Sequence, residues 1–413
     1  MLFAAYTFMM LTYRASGATV VMGAALLSLL LQRRALRAPS FLWLFAAWIA
    51  WAAIGYVLNP APEGVWDSLV EHGKLVLVAL VAVNALRTPA QIRYFLLFVV
   101  VSFMLFPARS TLQNYIGGYT LLGRAVGPFI YQNPNDLAAV AILMLGPALG
   151  LWAAEPRRSR LRWIGVASAA LLIVIVVLTQ SRGGFLGLAA VVLPSGIALA
   201  RRRARVVAVM AAVIGVALFL APAGFWDRVG SLRKATNVET IGEMDPEGSA
   251  SQRLAVVQTA MRIIGDHPLF GVGLGAYPRV NAEYSPSLGW RDTHNTYLNV
   301  AAETGLPGLA LFLGLVVSVL RAAGAARRRP RARPAAAPDA EGVRWLQYAL
   351  IGYLVAGLFS SFARLSIPYI FIGLLWSAAR AARAARAARA EATDSAPRSD
   401  THGVTASYVL HRA

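Results

Sequence analysis

The chain has no cysteine, which excludes a disulfide framework and a thiolate metal site and leaves its redox compartment open. Charge is scarce: Asp, Glu, Lys and Arg make up 14% of the 413 residues, against roughly 25% in a soluble domain. Acid is scarcer still, with 19 Asp plus Glu against 39 Lys plus Arg, a net charge of +20. In a soluble protein such an excess would suit nucleic acid. Here the basic residues stand in short clusters between apolar runs, as in the cytoplasmic loops of inserted proteins, so no nucleic-acid partner is expected. No small-residue cleavage site follows the first apolar run, which leads through Tyr13-Arg14 into a second one; it reads as a helix rather than a leader.

What the chain has is hydrophobicity, 58% of its residues. Apolar segments fall at 1–12, 17–32, 40–58, 73–86, 91–107, 134–153, 161–179, 183–200, 204–221, 294–320, 345–362 and 366–379. Since about 20 residues span the hydrocarbon, this predicts an all-α polytopic membrane protein of about twelve helices. The arginines test the segmentation. Arg33, Arg34 and Arg37, then Arg87 and Arg93, then Arg157 to Arg162, then Arg201 to Arg205, then Arg327 to Arg333, then the tail from Arg380 occupy alternate loops. That places both termini in the cytoplasm and the long loop outside. The expected organisation is nine membrane helices over 1–221, a periplasmic loop over 222–293, three more helices over 294–379, and a basic, disordered cytoplasmic tail over 380–413.

The long loop holds seven cations and eight anions, net −1. Within it, residues 249–264 show apolar positions at helical spacing, with Ser251 as N-cap and Gly265 as the stop. This predicts an amphipathic helix lying along the membrane or over a cavity. Gly271-Val-Gly-Leu-Gly275 neither follows a strand nor opens a helix, so it is no dinucleotide fingerprint. The Pro/Ala/Arg-rich stretch from Pro330 to Pro338 reads as a cytoplasmic loop. The Ala-Ala-Arg repeats of the tail make a broad basic face suited to anionic membrane lipids.

Cations on the acid-richer side carry more information. Arg182, in Thr179-Gln-Ser-Arg-Gly-Gly184, sits in a very short external turn, and Arg109 and Arg124 precede Asn133-Pro-Asn-Asp136. Topology gains nothing from them, so an anionic partner explains them. A guanidinium offers planar, bidentate donors that fit phosphate oxygens. Pro134 and Asp136 suit the first turn of a helix, and Asn135 can face a ligand.

The densest polar cluster is Arg291-Asp-Thr-His-Asn-Thr-Tyr-Leu-Asn-Val-Ala-Ala-Glu-Thr-Gly-Leu-Pro-Gly308. Asp292 or Thr293 can cap a helix starting at His294. Asn295, Asn299 and Glu303 then form one polar stripe about 12 Å long. Gly305 to Gly308 interrupts the segment, predicting an external half-helix, a break that lines a cavity or packs on protein, and a membrane helix. Of the five histidines, His294 alone adjoins an intramembrane polar stripe, which makes it the candidate base.

Ser181-Arg-Gly-Gly184, the run from Arg253 through His267-Pro-Leu-Phe-Gly-Val-Gly-Leu-Gly275, His294-Asn-Thr-Tyr-Leu298 and Glu303-Thr-Gly-Leu-Pro-Gly308 together resemble the superfamily of O-antigen ligases, O-antigen polymerases and bacterial protein O-oligosaccharyltransferases. The resemblance covers about residues 110–320 by motif. It implies transfer of a glycan from undecaprenyl pyrophosphate on the periplasmic face of the inner membrane, with lipid A-core as acceptor and a protein or a growing glycan as the alternatives. It also implies no cofactor and no required metal. By motif, Arg182 and Arg124 would hold the pyrophosphate, with Arg109, Arg253, Asn135, Asn295 and Glu303 as further binding residues. His294 would deprotonate the acceptor hydroxyl for an inverting displacement. Trp290, Tyr277, Tyr284 and Tyr297 would suit a carbohydrate. The competing class is a transporter of an anionic solute with the same arginines as clamps, but no internal repeat supports it.

Overall fold

The computed structural model describes residues 1–13, 17–32, 35–58, 63–156, 158–200, 249–327 and 338–394. Nearly all of the apolar segment expected at 204–221 and of the long loop as far as residue 248, the loop over 330–337 and the tail beyond residue 394 lie outside them.

The chain opens with two shorter apolar helices, α1 (Leu2–Leu11) and α2 (Ala18–Leu31), followed by α3 (Ser40–Leu58) and α4 (Val65–Ala85). Helix α5 (Pro89–Phe103) begins with a capping box, Thr88 and Gln91 each satisfying the other's backbone N–H. It passes through a π turn at Met104–Ala108 into α6 (Arg109–Ile116). Pro107, which has no N–H to donate, sits inside that turn and accounts for the irregularity. A small antiparallel hairpin, β1 (Thr120–Leu121) and β2 (Arg124–Ala125), precedes α7 (Pro134–Ala154), α8 (Arg160–Leu178) and α9 (Arg182–Ala200). After the gap come α10 (Ser249–Asp266), α11 (Tyr277–Tyr284), α12 (Thr296–Arg327), α13 (Pro338–Ala356) and α14 (Ser366–Asp394).

Among the described residues, six helices are long and apolar enough to cross a membrane: α3, α4, α5 with its continuation to Ile116, α7, α8 and α12. The protein is an all-α, multi-pass membrane protein. Helix α7 is apolar on every side and buried along nearly its whole length, as expected of the centre of a bundle. It packs against α8 and α13; α13 also holds α9, α3 lies against α12, and α4 against α14.

Several of the described arginines gather at one end. Arg37 lies close to Arg87 and Arg380. Arg93 forms an ion pair with Glu155 at the foot of α7, and lines a small cavity together with Ala154, Ala381 and Ala382. The N-termini of α7, α9 and α12 meet at the opposite end, described below.

Several expected boundaries move. Helix α4 begins at Val65 rather than 73, which turns a short segment into a 21-residue helix. Ser251 lies inside α10, which starts at Ser249. Helix α13 ends at Ala356 instead of 362, leaving residues 357–365 irregular. The disorder expected from residue 380 does not begin there, because α14 continues to Asp394. Alanine and arginine are strong helix formers, and Arg383 and Arg386 donate to the carbonyls of Ala322 and Ala326 near the end of α12. The Ala326 carbonyl is among those that a helix terminus leaves without partners.

Candidate active site

Helix α12 is two helices joined at Gly305, whose φ of 72° and ψ of 177° are non-helical. The break orphans backbone groups on both sides of it, and the stretch after α10 satisfies them. Val272 and Gly273 donate their N–H groups to the carbonyls of Ala302 and Glu303, and Leu306 N–H donates to Pro268 O. The glycine-rich run is therefore a plug for the broken helix. Glu303, in the sequence part of a polar stripe, is buried; its carboxylate accepts from Asn299 Nδ2 at 3.2 Å and from the backbone N–H of Tyr277. It fastens the plug and does not face solvent. Helix α10 packs its apolar face, with Val256, Ala260 and Ile263, against the protein, and α12 is among its neighbours.

His294 precedes the helix instead of starting it. Its φ of 49° is in the left-handed region, uncommon for a residue with a side chain and frequent where function fixes the backbone. The cap is Asn295, not Asp292 or Thr293: Asn295 Oδ1 accepts from the N–H groups of Tyr297 and Leu298 at 2.9 and 3.1 Å. Burial lowers the His294 pKa below the ordinary imidazole value, and the charges of Arg253 and Arg291 push the same way while Asp292 opposes them. The imidazole is thus held neutral at neutral pH, with Arg253 of α10 within electrostatic reach.

Arg182 opens α9. The preceding Ser181 caps that helix by accepting from Gly184 N–H at 3.1 Å and donates to Asn135 Oδ1 at 2.8 Å. The same oxygen accepts from an Arg124 guanidinium N–H at 2.9 Å, and Arg124 Nε donates to Thr179 O. Asn135 therefore ties the hairpin arginine to the Ser-Arg-Gly-Gly turn, and the N-cap of its own helix is Asn133. Arg109 is exposed on α6 and is not brought to this cluster by any hydrogen bond or ion pair among the described residues.

A single loop, residues 357–365, joins these parts. Phe359 lies against Gly183, where a Cβ would come within 2.7 Å of it, so glycine is what lets α9 start there. Ser360 Oγ donates to Asp136 at 2.6 Å, Ser361 Oγ donates to Asp292 at 2.8 Å, and Thr296 N–H donates to Gly357 O at 2.8 Å. Three helix N-termini thus converge, each turning the positive end of its dipole to one place, which is favourable for an anion. Sequence reasoning missed this loop by merging it into an apolar segment. Arg364, a cation outside the basic end of the bundle, was the signal that could have found it.

Of the four aromatics expected at a carbohydrate, only Trp290 is largely exposed. Tyr277 is buried and donates to Val256 O or bonds Asn281, Tyr284 bonds Asp266, and the Tyr297 hydroxyl donates to Leu354 O. Among the described residues, no group of three or more His, Asp or Glu is placed to hold a metal ion.

Residues 167–313 match the protein family described as O-antigen ligase. Over that stretch the chain is similar to the O-antigen ligase family. The matched stretch of the O-antigen ligase domain includes Arg182, Arg253, the glycine-rich plug, His294 and the break at Gly305, and it excludes Arg109, Arg124 and Asn135. The domain supports glycan transfer of the O-antigen ligase and polymerase type in general, with a lipid-linked glycan donor. A comparison with curated proteins returns no match.

Proposed function

We propose that the protein transfers a glycan from undecaprenyl pyrophosphate to a hydroxyl of lipid A-core, as an O-antigen ligase, at the periplasmic face of the inner membrane. The observation that carries this reading is the convergence, around loop 357–365, of Arg182 at a helix N-terminus and a neutral, half-buried His294. Both groups sit at the end of the bundle away from the arginine clusters, and the positive-inside rule makes that end periplasmic.

The reaction needs a base and an anion cradle. His294 takes the proton of the acceptor hydroxyl, whose oxygen attacks the anomeric carbon. The bond from that carbon to the pyrophosphate oxygen breaks, with inversion. Negative charge grows on the leaving pyrophosphate and is stabilised by the Arg182 guanidinium, by Arg253 and by the positive dipole ends of α9 and α12. Arg124 and Asn135 hold the turn that carries Arg182, Asn295 caps α12 beside the base, and Glu303 holds the plug beneath it.

The decisive experiment is reconstitution of the full chain with an undecaprenyl-pyrophosphate glycan and lipid A-core. His294→Ala and Arg182→Ala are expected to abolish transfer in protein that remains folded. Transfer at the wild-type rate by both variants overturns the assignment. Transfer to a glycan or a protein instead of lipid A-core replaces the acceptor while keeping the chemistry.

A further inference from the structure

A cavity of about 220 Å³ lies beside the candidate active site, walled by α1, α2, α4 and the end of loop 357–365. Its polar wall carries Lys74, Glu71 and Arg364, and its apolar wall carries Tyr6, Met10 and Leu75. Lys74 is paired with Glu71 at 2.6 Å. Arg364 is three residues from Ser361, which bonds Asp292, and close enough for its charge to act on both Asp136 and His72. The cavity and the candidate active site therefore share one loop.

We infer that this cavity binds the phosphate headgroup of an anionic amphiphile, with the phosphate between Lys74 and Arg364 and the start of the hydrocarbon against Tyr6, Met10 and Leu75. Several features point that way. Two cations lining a cavity beside apolar side chains match a ligand with an anionic head and a hydrocarbon chain. Glu71 neutralises only one of them, so the cavity keeps a net positive charge. Pockets that enclose a whole drug-sized molecule begin at about 300 Å³, so a cavity of 220 Å³ suits a headgroup whose chain continues outside it. Arg364 supplies the planar fork that matches phosphate oxygens and Lys74 a mobile point charge. The inference rests on the transfer reading only for why such an amphiphile would be held here: it places a second anion site next to the one at Arg182, from which a lipid-linked substrate can be passed on.

The test uses purified full chain in detergent and measures binding of farnesyl pyrophosphate, inorganic pyrophosphate and farnesol, with no transfer reaction required. The expected order is farnesyl pyrophosphate tightest, pyrophosphate weaker and farnesol undetectable. The double variant Lys74→Ala, Arg364→Ala is expected to weaken farnesyl pyrophosphate binding by about tenfold or more, the loss of charge-assisted contacts. Met10→Trp, which fills the apolar wall and leaves both cations, is expected to lower farnesyl pyrophosphate binding towards that of pyrophosphate. A double variant that melts like wild type and binds farnesyl pyrophosphate equally overturns the inference. Equal binding of pyrophosphate and farnesyl pyrophosphate, insensitive to Met10→Trp, also overturns it, in favour of a free-anion site. If the double variant loses binding while wild type transfers no glycan from any donor, the transfer reading fails and the cavity assignment stands.

Discussion

Gly305 lies so close to Leu269 that a Cβ on Gly305 would overlap the Leu269 carbonyl group. One residue marks the break in the long helix and the other belongs to the segment that fills it, so the position of His294, eleven residues upstream of the break, depends on a contact made 36 residues back along the chain.

Gly305→Ala is accordingly expected to destabilise the protein. The backbone there occupies a region open essentially to glycine, at a cost of about 1–3 kcal/mol for another residue before the overlap with Leu269 is counted. Thermal unfolding in detergent measures the loss. A melting temperature equal to wild type would show that the plug does not bear on the break.

The pH dependence of transfer has a definite sign. Burial lowers the His294 pKa below 6.5, so the neutral base is fully present at neutral pH and is lost only as pH falls through that lowered value. An acid limb of kcat/KM with its midpoint below 6.5 is expected. A midpoint above 6.5 would assign the limb to another group.

Asp292→Asn should move that limb further towards acid. The Asp292 carboxylate raises the His294 pKa, and removing its charge lowers the value and makes the imidazole a weaker base. The rate at neutral pH is expected to fall several-fold. An acid limb displaced towards higher pH would contradict the proximity of the two residues.

Arg124 and Asn135 should act as one unit. Asn135 Oδ1 accepts from Arg124 and from Ser181, so Arg124→Ala and Asn135→Ala remove overlapping contacts. A double-mutant cycle on kcat/KM is expected to give a coupling energy of about 0.5–3 kcal/mol. Strict additivity would mean that Arg124 acts on substrate independently of the turn.

Much of this site was legible in the residues. Arg182 stood out because the positive-inside pattern gives it no purpose, His294 because it alone among the histidines adjoins the polar stripe, and Gly305 to Gly308 announced its own break. Asn295 and Glu303 were noticed for the right reason, polarity at helical spacing, but spacing cannot tell a cap or a buried anchor from a ligand contact. Asn295 spends its oxygen on two backbone N–H groups, and Glu303 turns inward to Asn299 and the plug.

By itself the sequence determined that this is an all-helical membrane protein whose arginine-rich loops alternate with poorer ones, because apolar length and charge placement are local quantities that the bilayer reads directly. Only the tertiary structure decided which polar residues meet. Loop 357–365 reaches Asp136 from 224 residues away and Asp292 from 69, and no pattern along a chain encodes such encounters. They follow from the packing of α7, α9 and α12 around α13, which brings three helix N-termini to a single place.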